Sequence, residues 1–544
     1  MLDLAIYDGE RTEFFPSWDT FLAFLIAHRE DKKYRKFIAH YGGGFDYVSF
    51  VEHLTKQTKI KYDCIMSQSK IVLLCVYMHE TRFEFMDSSN VMPGASLDKL
   101  CRIFDVPNRK LEGVDRNDIE GLKRRNPVRY YEYLRLDVVS LYQVCKSFER
   151  YLEIDFMPIT LAALALYLYR RRFLKRVLFS PRKPVDEFIS KAYAGGRVEV
   201  FRAGKHENIG LYDVNSLYPA VMRDALFPVG TPVGTGWYHP ELIGVYHVRF
   251  RQADRTIPPI LWMKDETYGL EFVYEGEGHF FSMELDQALK HGVEFEVVSG
   301  YVWLHAELLF RDFVDHYYNL RMQNKGNALD YICKILLNSL YGKFGQKEKK
   351  FILTRLNWDE VRDRLLEDGA EVRDYDPERG LYEVSRPRRV SHRVVNIAAQ
   401  VTAMGRVRLN EEIIANADRI VYCDTDSIHI AGELEPEKVS SALGAWKLEK
   451  SGVGIYTGRK QYVLADTVRF KGMKATDTLG TGKALMDRSD LELISKGGTV
   501  GKTFSYFPKV KSVLKAGKKA CKIYRVHKVG KRGDYLTNYI PLDI

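Results

Sequence analysis

The stretch RIVYCDTDSIHIAG, Arg419 to Gly432, decides how this chain is read. Two runs rich in β-branched and aromatic residues, Arg419–Cys423 and Ser427–Ala431, flank Asp424-Thr425-Asp426. Such runs around a short polar turn predict a β-hairpin, here with two carboxylates at its tip. Like charges this close repel and raise one another's pKa. A divalent cation relieves that repulsion, and hard oxygen donors suit Mg²⁺. The blander reading is a turn that happens to be acidic, and DTD alone does not separate the two.

Upstream, IGLYDVNSLYPAVM runs an apolar strand into Asp213, then Ser216, Leu217, Tyr218 and Pro219. A carboxylate at a strand end, set beside the Asp424/Asp426 tip, completes a site for two metal ions and phosphoryl transfer. Alone, Asp213 reads equally as an acid capping the next turn; the two motifs together favour the site. Between them lies DYICKILLNSLYGKFGQ, Asp330 to Gln346. Lys334, Asn338 and Tyr341 are spaced i, i+4, i+7, which puts them on one face of a single predicted helix. A lysine, an amide and a tyrosine on one stripe suit a triphosphate and a base or sugar. Arg321 precedes them across a turn at Gly326-Asn327, and an antiparallel helix pair lets it reach the same phosphates. The alternative is a surface stripe with Tyr341 in the core.

DVNSLYP, KILLNSLYG and YCDTDS, in that order, resemble motifs A, B and C of family B DNA polymerases. YAGG at Tyr193–Gly196 resembles the motif linking the exonuclease and polymerase halves, and KQY at Lys460–Tyr462 the one that holds the primer terminus. The extra residues between motifs resemble the protein-primed polymerases of small linear-genome phages and mitochondrial linear plasmids. The resemblance implies an α+β multidomain fold: a right-hand palm, fingers and thumb behind an N-terminal RNase H-like 3′–5′ exonuclease domain. It implies exonuclease-like residues 1–155, linker and first palm part 156–224, and a first insertion 225–309 facing a terminal protein or DNA. Fingers at 310–345, a second insertion at 346–392 for strand displacement and processivity, second palm part 393–475 and thumb 476–544 follow.

By the same resemblance, Asp213 and Asp426, with the Val214 carbonyl, ligate two Mg²⁺ ions, with Mn²⁺ as a possible substitute, and Asp424 stands just behind. Tyr218 packs under the sugar and excludes a 2′-hydroxyl. Lys334 and Arg321 bind the incoming dNTP, and Asn338 and Tyr341 line the nascent base pair. Ser216, Ser339, Gly342 and Thr425 lie along the primer–template. Lys460 and Tyr462 position the primer end, and Tyr193, Gly195, Gly196 and Arg197 touch template. The implied partners are primer–template DNA, dNTPs, single-stranded DNA and a terminal priming protein, with no membrane. The setting is cytoplasmic in the host of a phage or plasmid, or the matrix for a mitochondrial plasmid. Two other readings remain: a primer-independent family B polymerase, and a catalytically silent DNA-binding replication factor. The costly acid cluster speaks against the silent factor.

In the N-terminal half, HYGGGFDYVSF and YLRLDVV resemble the second and third exonuclease motifs. Asp46, with neighbouring Phe45, and Asp137 become metal ligands and Tyr133 orients water; Tyr133 and Asp137 are i, i+4 on one helix. SLDKL, with Ser96 and Leu97, resembles the single-strand-binding element. Two features depart from the pattern. Tyr41 stands where the family has an asparagine-type polar residue. The first motif, an N-terminal DxE, has no good counterpart: Asp8-Gly9-Glu10 spells it, but LDLAIY and RTEFF on either side make Asp8-Gly9 a hairpin turn. The expectation is a chain that starts just after the true first motif, or a proofreading site that is dead.

Composition fits this reading. At 544 residues three to five domains are expected, and 46% hydrophobic with 28% charged residues excludes a disordered or collagen-like chain. The longest nearly uncharged apolar run, Met157 to Tyr169, is too short to span a bilayer. The opening MLDLAIYDGE has no secretory n-region. Seven scattered cysteines, never CxxC, argue for a reducing compartment without disulfides. The net charge of +10 is mild, but two basic runs stand out. One spans 170–183; the other runs from Lys502 to Arg532 and interleaves with Phe504, Tyr506, Phe507 and Tyr524, a composition that suits phosphates and stacked bases.

Overall fold

A computed structural model describes residues 3–531, apart from 58–59, 68–69, 80, 116–117, 266–268, 347–350, 356, 387–389, 391, 473–485, 507–512 and 515–523. A central antiparallel sheet of seven strands carries the acids. Its order is Thr467–Phe470, Gln461–Leu464, Trp446–Gly458, Gly204–Val214, Ser427–Ala431, Ile420–Asp424 and Val198–Val200. The DTD hairpin forms as its alternation requires. Ile428 and Ile430 turn one way into a core shared with Ile397, Val401 and Ile413 of the long helix Val395–Ala415. His429, between them, turns the other way, against Tyr456 and Tyr462. The register sets Asp213 opposite Ser427 on one side and Lys447 on the other.

The N-terminal half begins with the expected hairpin, Leu4–Tyr7 against Thr12–Phe15. Asp8 makes its turn: its Oδ1 accepts the amides of Glu10 (2.9 Å) and Arg11 (3.0 Å), and Gly9 takes a positive φ of 105°. Ser17 caps the helix Trp18–Ala27, its side chain accepting from the Thr20 amide. A second seven-stranded sheet runs Glu371–Asp376, Leu381–Ser385, Ile352–Arg355, Lys61–Ser67, Lys70–Met78, Thr81–Asp87 and Lys36–Ala39. Its first three strands come from the stretch expected as a second insertion in the polymerase half. They add to the free edge of Lys61–Ser67, where Leu353 joins Tyr62, Cys64 and Phe50 in one core.

After Gly204–Val214 in sequence, a four-stranded sheet (Val233–Thr235, Val293–Trp303, Ile243–Gln252, Glu275–Phe281) carries the helix Ser282–Lys290 and a short hairpin, Trp262–Asp265 with Gly269–Phe272. Helices Arg311–Gln323 and Ala328–Leu337 follow, then the short Leu340–Phe344. Helix Arg488–Ser495 and the hairpin Val500–Tyr506 with Tyr524–Gly530 end the described chain. Of the basic C-terminal run, Lys509, Lys511, Lys515, Lys518, Lys519, Lys522 and Arg532, with Phe507, lie outside the described residues. Three cations of the 170–183 run form ion pairs within the protein: Arg172 with Glu153, Lys175 with Asp312 and Arg176 with Glu307. The six cysteines among the described residues are buried and free. No helix among the described residues is long and apolar enough to cross a membrane.

Candidate active site

Asp213 and Asp426 meet because two adjacent strands end there: the Val214 amide donates to the Asp426 carbonyl at 2.8 Å. The turn that turns Asp426 inward needs a positive φ of 65° at Thr425, whose amide donates to the Arg197 carbonyl at 2.7 Å. Burial, then Asp426, pushes Asp213 up to about 7. Burial, then Asp424, raises Asp426. Lys447 and Lys334 temper Asp213 only from a distance.

Asp424 is different. It accepts from Lys460 Nζ at 3.0 Å, from the Tyr422 hydroxyl at 3.3 Å and from Thr425 at 3.2 Å. The tip therefore divides its acids: one is neutralised by a lysine, and one lies half-buried beside Asp213. Among the described residues no three His, Cys, Asp or Glu side chains converge on one point. The half-buried Asp213–Asp426 pair is nonetheless a donor set of hard oxygens whose mutual repulsion a divalent cation relieves, so these residues fit the expected metal.

Tyr218 sits at the start of the helix Leu217–Asp224, after Ser216 in a left-handed conformation (φ 56°). Its ring packs on Tyr341 with centroids 4.7 Å apart, and the Tyr341 hydroxyl hydrogen-bonds to it. Gly405 makes the seat: a Cβ there would lie 2.9 Å from the Tyr218 ring. Burial holds Tyr218 at about 12, and Asp426 bears on both phenols.

The single helix expected through Lys334, Asn338 and Tyr341 is interrupted. Asn338 caps Ala328–Leu337, and a new helix starts at Leu340. The Asn338 side chain donates to the Lys334 carbonyl (3.0 Å) and the Ser339 hydroxyl to that of Ile335 (2.6 Å), which competes with the helical ladder. Lys334, Asn338 and Gly342 remain exposed. Arg321, expected at the triphosphate, is paired within the protein. It is bound to Asp330 at 2.9 Å and largely buried, because the antiparallel helix pair brings Asp330 to it first.

The family model of DNA polymerase type B, organellar and viral, matches residues 114–441. The chain belongs to this family. It is 25% identical to a "Probable DNA polymerase" of Neurospora intermedia over 82% of this chain and 54% of that protein. It is 28% identical to the DNA polymerase of Bacillus phage phi29 over 48% of this chain and 46% of that one. The chain thus spans about half the length of the curated relatives it matches. The fold is that of phi29 DNA polymerase in complex with primer-template DNA and incoming nucleotides (TM-score 0.74, 20% identity, 96% of this chain and 94% of that one). The central sheet accordingly lies where that fold has its palm, and the N-terminal sheet where it has its exonuclease domain.

In this member of the type B family the stretch that joins the two halves is built around two buried arginines. Arg197 was expected at the template, but its side chain is 1% exposed and bound to Glu199 at 2.6 Å and Asn410 at 2.9 Å. Only its backbone reaches the hairpin. Arg406, which the sequence reading missed, donates to the carbonyls of Ala194 (3.0 Å) and Gly195 (2.9 Å) and pairs with Glu284 at 2.8 Å. Removing one partner of such a buried pair costs about 3–5 kcal/mol. Gly196 lies under Thr425, where a Cβ would come within 2.7 Å. Gly195 faces open space and lines a cavity of about 590 Å³ with Gly196, Lys264, Lys460 and Lys471. Tyr462 is 8% exposed, packed on Tyr422 and Tyr456, so it supports this wall from within.

The exonuclease-like cleft is acidic but differently disposed from the expectation. Burial, with Asp87 and Asp137 adding to it, holds Asp46 at about 6. Asp87, unremarked in the sequence, accepts the amides of Tyr41, Gly43 and Ser89. Asp137 pairs with Lys110 Nζ at 3.0 Å, and that lysine lies 5.9 Å from the Tyr133 ring. Phe45 is half exposed. Of the expected single-strand-binding pair, Ser96 caps the helix Leu97–Ile103 and Leu97 is core. Asp8 belongs to its turn. Burial would raise its pKa, but the Arg11 and Glu10 amides, Lys33 and Tyr34 together hold it far below the usual carboxylate range.

Proposed function

We propose that the chain is a template-directed DNA polymerase that copies a phage or linear-plasmid genome from a protein primer, in the host cytoplasm or a mitochondrial matrix. The observation that carries this is the half-buried Asp213–Asp426 pair beside the Tyr218–Tyr341 pair. The 3′-hydroxyl, or a hydroxyl of a terminal protein at initiation, attacks the α-phosphate of a dNTP, and pyrophosphate leaves. Asp213, Asp426 and the Val214 carbonyl would hold two Mg²⁺ ions, or Mn²⁺. When bound, such ions activate the attacking oxygen and stabilise charge on the leaving one.

The chain's own groups do the rest. Lys334 meets the triphosphate, Tyr218 closes the space beneath the sugar, and Asn338 and Tyr341 line the base pair. Ser216, Ser339, Gly342 and Thr425 flank the primer–template. Lys460, oriented by Asp424, faces the primer end, and the glycines at 195 and 196 let template approach the backbone. The N-terminal cleft offers Asp46 and Asp137 for single-stranded DNA, with hydrolysis weakened.

One assay tests this: a 5′-labelled primer–template with Mg²⁺, with and without dNTPs. Extension with dNTPs and no shortening without them is expected. Shortening means a working exonuclease. No extension leaves the silent DNA-binding factor, and extension that starts without any primer selects the primer-independent reading.

A further inference from the structure

Arg393 lies where the chain returns from its excursion to the N-terminal sheet, and no motif marks it. Its side chain is largely buried. Nε and Nη2 donate to both oxygens of Asp186 (2.8–3.2 Å), Nη2 to the Ser190 hydroxyl (2.6 Å) and Nη1 to the Gln346 carbonyl (2.9 Å). Asp186 and Ser190 sit on the helix Lys183–Ala192, which Tyr193 ends. One residue on, the Val394 amide donates to the Phe344 carbonyl at 3.0 Å, so the departing and returning strands close into a neck.

Two contacts connect this neck to the nucleotide side of the palm. Gly345 has no side chain because Tyr193 fills the space: a Cβ there would lie 2.4 Å from the Tyr193 ring and 2.9 Å from Ala398. Phe344 ends the short helix Leu340–Phe344, which carries Tyr341 onto Tyr218. At 1.5 Å per residue, Tyr341 stands only about 4.5 Å along that helix from the neck. A shift of the neck therefore passes to Tyr341 almost undiminished.

We propose that Arg393 is a positioning residue for nucleotide selection: its fork on Asp186 fixes the neck, and the neck fixes Tyr341 over Tyr218. This rests on the polymerase reading. Arg393 itself touches no substrate. Displacements near 1 Å in positioning residues can cost about a hundredfold in rate, so a brace this close to the sugar and base is felt in selectivity. A brace that serves stability alone lowers the melting temperature and leaves selectivity untouched.

The test is single-nucleotide incorporation by the full chain, with dNTPs and rNTPs, for R393A, R393K, D186N and the R393A/D186N double variant. R393A should raise KM for dNTPs about tenfold, change kcat less than about twofold, and cut the preference for dNTP over rNTP about tenfold. D186N should reproduce this, and the double variant should be no worse than either single one, because both remove the same contact. R393K should recover part of the loss, since an ammonium keeps the charge but not the fork. Unchanged KM and sugar preference in R393A, with only a lower melting temperature, overturns the inference alone, as do losses that add in the double variant. No incorporation by the wild-type chain sinks the polymerase reading and the inference with it.

Discussion

Asp213, Asp424 and Asp426 sit around one turn, yet each has a different neighbour. Asp426 and Asp213 face one another, while Lys460 neutralises Asp424. D213A or D426A should cost on the order of 4 kcal/mol of transition-state stabilisation, about a thousandfold in rate, with DNA affinity nearly intact. Primer extension beside a DNA-binding titration reads both, and full-rate synthesis in either variant defeats the metal assignment. Tyr218, seated on Gly405, should act on the sugar. Y218V should admit rNTPs about a hundredfold more readily, by the scale of about 1–3 kcal/mol that pocket shape supplies; an unchanged dNTP/rNTP ratio removes it from that role. His429 makes a pH prediction. Burial lowers its pKa from 6.5 to about 3, with Nδ1 on the Tyr456 hydroxyl. The unfolded chain then binds the extra proton between those values, so stability is full above pH 6.5 and falls as the pH drops. From pH 7 to 5 the loss is about 2 kcal/mol. In H429Q the denaturant midpoint should fall less over that range; an identical slope refutes the assignment.

At the scale of elements, the strand Ile352–Arg355 does not belong with its neighbours in sequence. Arg355 donates to the carbonyls of Leu54 (2.7 Å) and Gln57 (2.5 Å), at the end of the helix that Asp46 begins. Thr354 bonds Asp63 at 2.5 Å. R355A leaves buried carbonyls without donors and should destabilise this sheet by about 2–4 kcal/mol. Hydrogen exchange at Leu353, Thr354 and Cys64 should quicken together while the palm strands keep their protection. Unchanged exchange means the strand is held by packing alone. The stripe Lys334–Asn338–Tyr341 carries the opposite lesson: its periodicity is helical throughout, but two side chains that bond back to their own helix divide it.

For the whole molecule, the net charge of +10 matters through its placement. Three cations of the 170–183 run are taken up in surface ion pairs, whereas Lys264, Lys460 and Lys471 gather around one cavity next to the linker glycines. Phosphate contacts released one by one should show as salt dependence. K471A should weaken DNA binding about equally for all sequences and lower the slope of log K against log salt by about 1. Anisotropy titrations from low to moderate salt decide it, and an unchanged slope places the backbone elsewhere.

What the sequence determined by itself was local chemistry with strong periodicity: the DTD hairpin, the strand into Asp213, the Asp8-Gly9 turn and the right-hand architecture those motifs imply. Each is legible because a strand's alternation or a turn's backbone demand is written in adjacent residues. What only the tertiary structure decided was which charged groups find partners far along the chain. Arg197 was expected at the template and Arg321 at the triphosphate, and nothing in the sequence drew attention to Arg406; the fold pairs them with Glu199, Asp330 and Glu284. Residues 352–385 read as an outgrowth but complete the N-terminal sheet. A buried charge is stabilised by whichever partner the fold brings to it, and a free sheet edge by whichever strand returns to it; neither is encoded in spacing along the chain.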